Sequence, residues 1–306
     1  MIFPEESSDL LKTAIIPMIA FFDLFEYPLT AYEIWNNLDK SVSLGQLVAI
    51  LERGLKPGSE TEKFVFIQEY NGFYFLNGRQ DTVTTRQKRY NYSCRKLVIA
   101  RRFTRAFSWC PFVQTVALAN SIGSHNLRDG SDIDFFIITA ARRLWLSRLY
   151  CAGLAKILNS RPTAMTKQDK ICLSFYISTE HLNLHDLQLS GADPYFDYWR
   201  RGLVLLYNKN KIYEQFLAVN QSAVNQSVRP SAENNQPSKL PWLLGLEIGA
   251  KNWQLKIMPP ALRTAMNNSD GVIVTDSVLK LYQRDRRREF LEKYGKTLQE
   301  VFKKGA

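Results

Sequence analysis

The sequence predicts an α/β (α+β) fold: a mixed-sheet core with a small helical domain before it and a helical region after it. Three observations predict this. Two apolar, strand-like runs, 113–121 and 132–139, flank a Gly-Ser turn and an Asp-x-Asp. A helix-spaced segment, 144–158, and a third apolar run, 170–178, complete the order strand–loop–strand–helix–strand. Ahead of them, residues 9–80 read as three short helices and a hairpin.

Each element has a local cause. Asp9 is placed to cap a helix through about Phe25, with Leu10, Leu11, Ile15, Ile16 and Ile19 at helical spacing. Thr30 and Glu33 form the two ends of a capping box that starts a second helix. A third helix starts at Ser43, with Leu44, Leu47, Val48, Ile50 and Leu51 as its expected buried face, and Pro57-Gly58-Ser59 breaks the pattern. Strands 64–68 and 73–76 meet at a turn around Asn71-Gly72. A basic amphipathic helix, about 82–108, leads into the core. Residues 193–219 read as helical, with an aromatic stripe (Tyr195, Phe196, Trp199, Tyr207) expected in the core. Residues 220–238, rich in Asn, Gln, Ser and Pro, read as a flexible linker, and about 240–306 as helical. The expected divisions are 1–80, a connecting helix 81–107, a core with packing helices 108–219, the linker 220–238 and a helical region 239–306.

The chemistry concentrates in one stretch, Gly123-Ser124 through Ser131-Asp132-Ile133-Asp134. In an extended strand, residues two apart share a face, so Asp132 and Asp134 aim two carboxylates at one point while Ile133 points into the sheet. Such hard oxygen donors suit Mg²⁺, which is held by one or two carboxylates plus substrate phosphates. Gly123 lets a ligand approach the backbone, and Ser124 adds a hydroxyl and an N–H for phosphate oxygens.

An apolar strand, Gly123-Ser124, a short loop with seven residues between Ser124 and Asp132, the run Ser131-Asp132-Ile133-Asp134 and a second apolar strand resemble the signature of the polymerase-beta-like nucleotidyltransferase superfamily. The resemblance implies an Mg²⁺-dependent enzyme moving a nucleoside monophosphate from an NTP, ATP foremost, to an acceptor hydroxyl on protein, RNA or a small molecule. It implies that Asp132 and Asp134 are catalytic metal ligands and that Gly123 and Ser124 hold the triphosphate. It also implies a third carboxylate on a later strand. The matching run, 171–177, has no acid, and Asp169 and Glu180 flank it. Glu180 is the preferred substitute, with Asp169 expected at the opposite strand end. The three helices and hairpin of 1–80 resemble a winged-helix domain. Its third helix offers Arg53 as the one cation, beside Glu52, so a packing or docking role competes with DNA reading.

Composition narrows the classes. A chain of 306 residues, 45% of them hydrophobic, allows about two domains with real cores and excludes disorder. Net charge is +11, and the run 86–105 holds eight basic residues with no acid, a face that favours nucleic acid or nucleotide. Cys94, Cys110, Cys151 and Cys172 have no C-x-x-C spacing, which predicts reduced thiols. His181 and His185 lack the partners of a zinc motif. With no signal peptide and no run long enough to span a bilayer, a cytoplasmic protein without membrane contact is expected. The alternative to the enzyme is a catalytically silent relative: a DNA-binding regulator that senses nucleotide, or an antitoxin-like partner protein.

Overall fold

The computed structural model describes residues 10–38, 42–55, 66–119, 125–163, 165–189, 193–220, 241–268 and 270–304. The chain forms two compact units: 1–91 together with 286–306, and 92–285.

In the first unit, a π-helical turn (Leu11–Ile15) runs into α1 (Ile16–Asp23), whose Ile16, Ile19, Phe21 and Phe22 are buried. Asp9 lies outside the described residues. β1 (Leu29–Thr30) leads to α2 (Ala31–Asn37), which carries the expected capping box. Thr30 Oγ1 accepts from Glu33 N at 3.2 Å, and Glu33 Oε2 accepts from Thr30 N at 2.9 Å. α3 (Leu44–Gly54) has a second box, Ser43 with Gln46. Leu47, Ile50 and Leu51 are buried, but Leu44, expected among them and on the same helical face, is exposed at the first position of the helix. β2 (Ile67–Tyr70) and β3 (Phe73–Leu76) pair across Asn71 and Gly72, both at positive φ, the two-residue turn that matches strand twist. Residues 64 and 65 of the expected first strand lie outside the described residues. The sheet order is β1-β3-β2, all antiparallel.

α4 (Asp81–Phe107) is the basic helix. At its start Arg86 forks onto Glu33 with two bonds of 2.8 Å and lies over the Tyr27 and Phe73 rings. Arg89 pairs with Glu26. Burial pushes the Glu33 carboxyl up, but the Arg86 fork outweighs it and holds the group below its ordinary value. α10 (Arg287–Lys304) belongs to this unit through ring contacts Phe21–Tyr294, Phe25–Phe290 and Phe66–Phe302.

The second unit is built on a six-stranded mixed sheet. Its strands are β4 (Val113–Leu118), β5 (Ile133–Thr139), β6 (Ile171–Ser178), β7 (Val204–Asn208), β8 (Val272–Val274) and β9 (Val278–Leu281). The order is β7-β4-β5-β6-β9-β8, and the central β5–β6 pair is parallel while every other pair is antiparallel. A parallel pair needs a crossover, supplied by α5 (Leu144–Ile157). One sheet face packs Val116, Ile133, Phe135, Ile137 and Tyr176 with α5 residues Trp145 and Cys151. The other packs Phe136, Ile138, Phe175 and Ile177 with Phe196, Trp199 and Phe216.

Two expectations fail here. The helix read over 193–219 is α6 (Pro194–Arg201), then β7, then α7 (Ile212–Val219). Gly202 ends α6, and Val204 to Asn208 gain more by pairing with β4 than by continuing a helix. Asn210 and Lys211, both at positive φ, make the next turn. The region 240–306 is not wholly helical: α8 (Pro241–Lys256) and α9 (Pro260–Ala265) precede the β8–β9 hairpin, which extends the core sheet. Asn220, read as linker, is buried and bonds Leu182 O, Phe216 O and Leu184 N. Residues 221–238 lie outside the described residues.

α8 also solves a capping problem. α5 has no side-chain cap of its own, and Glu247 of α8 accepts from Trp145 N at 2.7 Å and Leu146 N at 3.0 Å. Among the described residues no helix is long and apolar enough to cross a membrane.

Candidate metal centre

Asp132 and Asp134 flank Ile133, the fully buried first residue of β5. Alternation turns Ile133 and Phe135 toward α5 and both half-buried carboxylates to the opposite face. Backbone bonds fix this start: Ile133 N donates to Lys170 O at 2.8 Å, and Ala119 N to Asp134 O at 2.9 Å.

The parallel neighbour completes the cluster. Asp134 stands in register with Cys172. Donor atoms of Asp132, Asp134 and Cys172 all lie within 4.8 Å of one another, the one such group among the described residues. An irregularity follows at once: the three residues Asp134 to Phe136 face the four residues Cys172 to Phe175, so the extra residue lies in β6. This bulge keeps Cys172 and Ser174 on the acidic side and turns Tyr176 into the α5 layer. Cys172 Sγ lies 3.4 Å from Ser174 Oγ. Burial pushes the Cys172 thiol well up, and the neighbouring Asp134 adds to the rise.

The segment that ends β9 brings Tyr282 to this group. Burial pushes the Tyr282 phenol well up, the Asp134 charge adds to it, and a hydrogen bond with Ser174 opposes both. Lys280 is buried, bonded to Asp285 Oδ2 at 2.9 Å and Asp270 O at 2.7 Å. Gly271 sets the entry to the hairpin. Its carbonyl accepts from Tyr282 N at 2.8 Å, and a Cβ placed on it would meet Tyr282 O at 2.2 Å. Gly271→Ala should therefore displace Tyr282 and destabilise the fold by about 2 kcal/mol. A urea midpoint equal to wild type would contradict that close approach.

The loop before Asp132 is held by α4. Lys96, fully buried, donates to Asp129 O at 2.9 Å, Ser131 O at 2.6 Å and Asp169 Oδ1 at 2.8 Å. Arg95 bridges Asp129 and Asp169, and Leu127 N donates to Ser93 Oγ at 2.9 Å. Of the eight basic residues in 86–105, Arg86, Arg89, Arg95 and Lys96 are thus bound internally. Lys88, Arg101, Arg102 and Arg105 are exposed.

The expected substitute acid is corrected. Because β5 and β6 run parallel, Asp169 lies at the Asp132 end, where its N–H donates to Ser131 O, and its carboxylate is taken by Lys96 and Arg95. Glu180 lies past the other end of β6, 3.6 Å from Arg142. Six strand residues, at about 3.3 Å each, put the end of β6 roughly 20 Å from Cys172, and Glu180 lies in the turn beyond it. Gly123 and Ser124 lie outside the described residues. His181 sits 3.3 Å from Asp186, and all four cysteines are free. Sequence reasoning missed Cys172, Ser174 and Tyr282. The alternation Cys172-x-Ser174 was visible, but its register against Asp134 was not.

No family model matches this chain, and neither does any curated protein or any solved structure.

Proposed function

We propose that the chain is a metal-dependent nucleotidyltransferase of the polymerase-beta-like kind, moving a nucleoside monophosphate from an NTP to an acceptor hydroxyl. The single observation that carries the reading is the convergence of Asp132 and Asp134 at one end of the parallel β5–β6 pair. Two half-buried carboxylates with a third donor nearby fit a divalent cation. Asp132 and Asp134 would hold it, and it would supply charge stabilisation for the attacking and leaving oxygens at the α-phosphorus. Gly123 and Ser124 are the proposed cradle for the outer phosphates. Tyr282, whose phenol stays protonated, is a neutral hydrogen-bond donor on the same face. The chain's own task is placement of the two reactants. On this reading α1, α2, α3 and the β1-β3-β2 sheet are a winged-helix-like domain, and the exposed Lys88, Arg101, Arg102 and Arg105 are where a polyanion would touch α4.

One observation favours a second reading. The strand beside Asp134, on which the superfamily resemblance implies a carboxylate, has none and sets Cys172 in register with Asp134. A silent nucleotide-binding regulator or partner protein would show that loss. Incubation with α-labelled NTPs, divalent metal and extract of the source cell separates the two. The enzyme should move label to an acceptor and release pyrophosphate, and Asp134→Asn should stop both. Tight nucleotide binding with no transfer to any acceptor would replace the enzyme with the silent reading.

A further inference from the structure

We infer that Cys172 is the third protein ligand of the proposed metal site and that it turns the site from Mg²⁺ toward a thiophilic divalent ion, Zn²⁺ above all. The inference rests on the proposed metal site and goes beyond it by naming the ion class.

Three features of the fold carry it. The parallel register sets Cys172 directly beside Asp134, so the thiol reaches the carboxylates without loop movement. The bulge after Cys172 preserves that placement: it lets Phe175 and Tyr176 meet their own hydrophobic layers while Cys172 and Ser174 stay on the acidic face. The donor atoms are already within 4.8 Å of one another. Donors bound at about 2.1 Å (oxygen) and 2.3 Å (sulfur) to one tetrahedral zinc ion lie about 3.4 to 3.6 Å apart, so side-chain rotations that close at most roughly 1.2 Å complete the site.

The donor chemistry then selects the ion. Mg²⁺ demands oxygen ligands in octahedral geometry and gains little from sulfur, whereas a thiolate favours zinc and its neighbours. Two carboxylates and one thiolate give three protein ligands. A tetrahedral ion keeps its fourth position for water or a phosphate oxygen, the pattern of catalytic rather than structural zinc.

Co²⁺ replaces Zn²⁺ as a visible probe, titrated into the metal-free full chain with no nucleotide present. Wild type should show a sulfur-to-cobalt charge-transfer band, and excess Zn²⁺ but not excess Mg²⁺ should erase it. Cys172→Ser should lose the band and bind Zn²⁺ at least about tenfold more weakly, since loss of even an outer partner costs that much. Cys172→Asp should lose the band and bind Mg²⁺ more tightly than wild type. Circular dichroism confirms that each variant is folded. Co²⁺ binding without the band, or a band that persists in Cys172→Ser, would overturn the role of Cys172. If Mg²⁺-dependent nucleotide binding still required Asp132 and Asp134, the two-carboxylate site would stand after that failure. If neither metal nor metal-nucleotide bound wild type, the proposed function itself would fall, and this inference with it.

Discussion

Lys96→Met should destabilise the fold by about 3 kcal/mol, because it removes the fully buried partner of an ion pair, takes the ammonium from Asp129 O and leaves Ser131 O with the Asp169 N–H alone. The Lys96 side chain is fully buried, and its ammonium joins α4 to both segments that frame Asp132: Asp129 and Ser131 on one side, Asp169 on the other. Methionine fills similar volume, so the loss isolates the charge and its hydrogen bonds. Arg95 still reaches Asp169, which keeps the effect toward the low end of the range for buried pairs. Backbone amides around 129–132 should also exchange faster, since that loop loses its anchor.

The same variant should change the acid limb of the stability curve. Burial pushes the Asp169 carboxyl up, but hydrogen bonds from Lys96 and Arg95 outweigh it and hold the group below its ordinary value of 3.8. A carboxyl with a lowered folded pKa contributes stability above its unfolded pKa and loses it as pH falls through the folded one. The gap between wild type and Lys96→Met should thus be full at neutral pH and shrink below pH 3.8. Urea unfolding at a series of pH values measures it. A gap that is absent at neutral pH, or that widens on acidification, would contradict this assignment of Lys96.

The elements legible in the sequence were those set by local chemistry. Thr30 with Glu33 announces α2, Asn71-Gly72 announces the β2–β3 turn, and the alternation around Ile133 puts Asp132 and Asp134 together. What failed depended on partners far along the chain. Val204 to Asn208 carry helical spacing as well as β-forming residues, and the edge of β4 decides between them. Val272-Ile273-Val274 and Val278-Leu279 are β-formers around a short turn, yet they become strands by adding to β6, which lies about a hundred residues earlier. The basic run 86–105 reads as an open cationic face, but half of its charges meet Glu26, Glu33, Asp129 and Asp169 from four separate segments. The site was half legible for the same reason. Asp-x-Asp is a property of one strand, whereas the third donor depends on which residue of β6 stands beside Asp134, and only the parallel register supplies that.

The second large effect is on binding. Asp132 and Asp134 present two like charges whose donor atoms lie within 4.8 Å of each other, a placement that favours a cation and costs the fold some repulsion. Asp132→Asn combined with Asp134→Asn removes both charges without changing side-chain volume. Thermal stability should stay level or rise slightly, while affinity for a metal-bound NTP should fall by about a hundredfold, equivalent to about 2.8 kcal/mol. Isothermal calorimetry with ATP, with and without divalent metal, on wild type and the double variant is the most direct measurement of the central claim. The account predicts metal-dependent binding in wild type that the double variant loses while remaining folded. Equal affinity in the two proteins, or wild-type binding indifferent to metal, would contradict it.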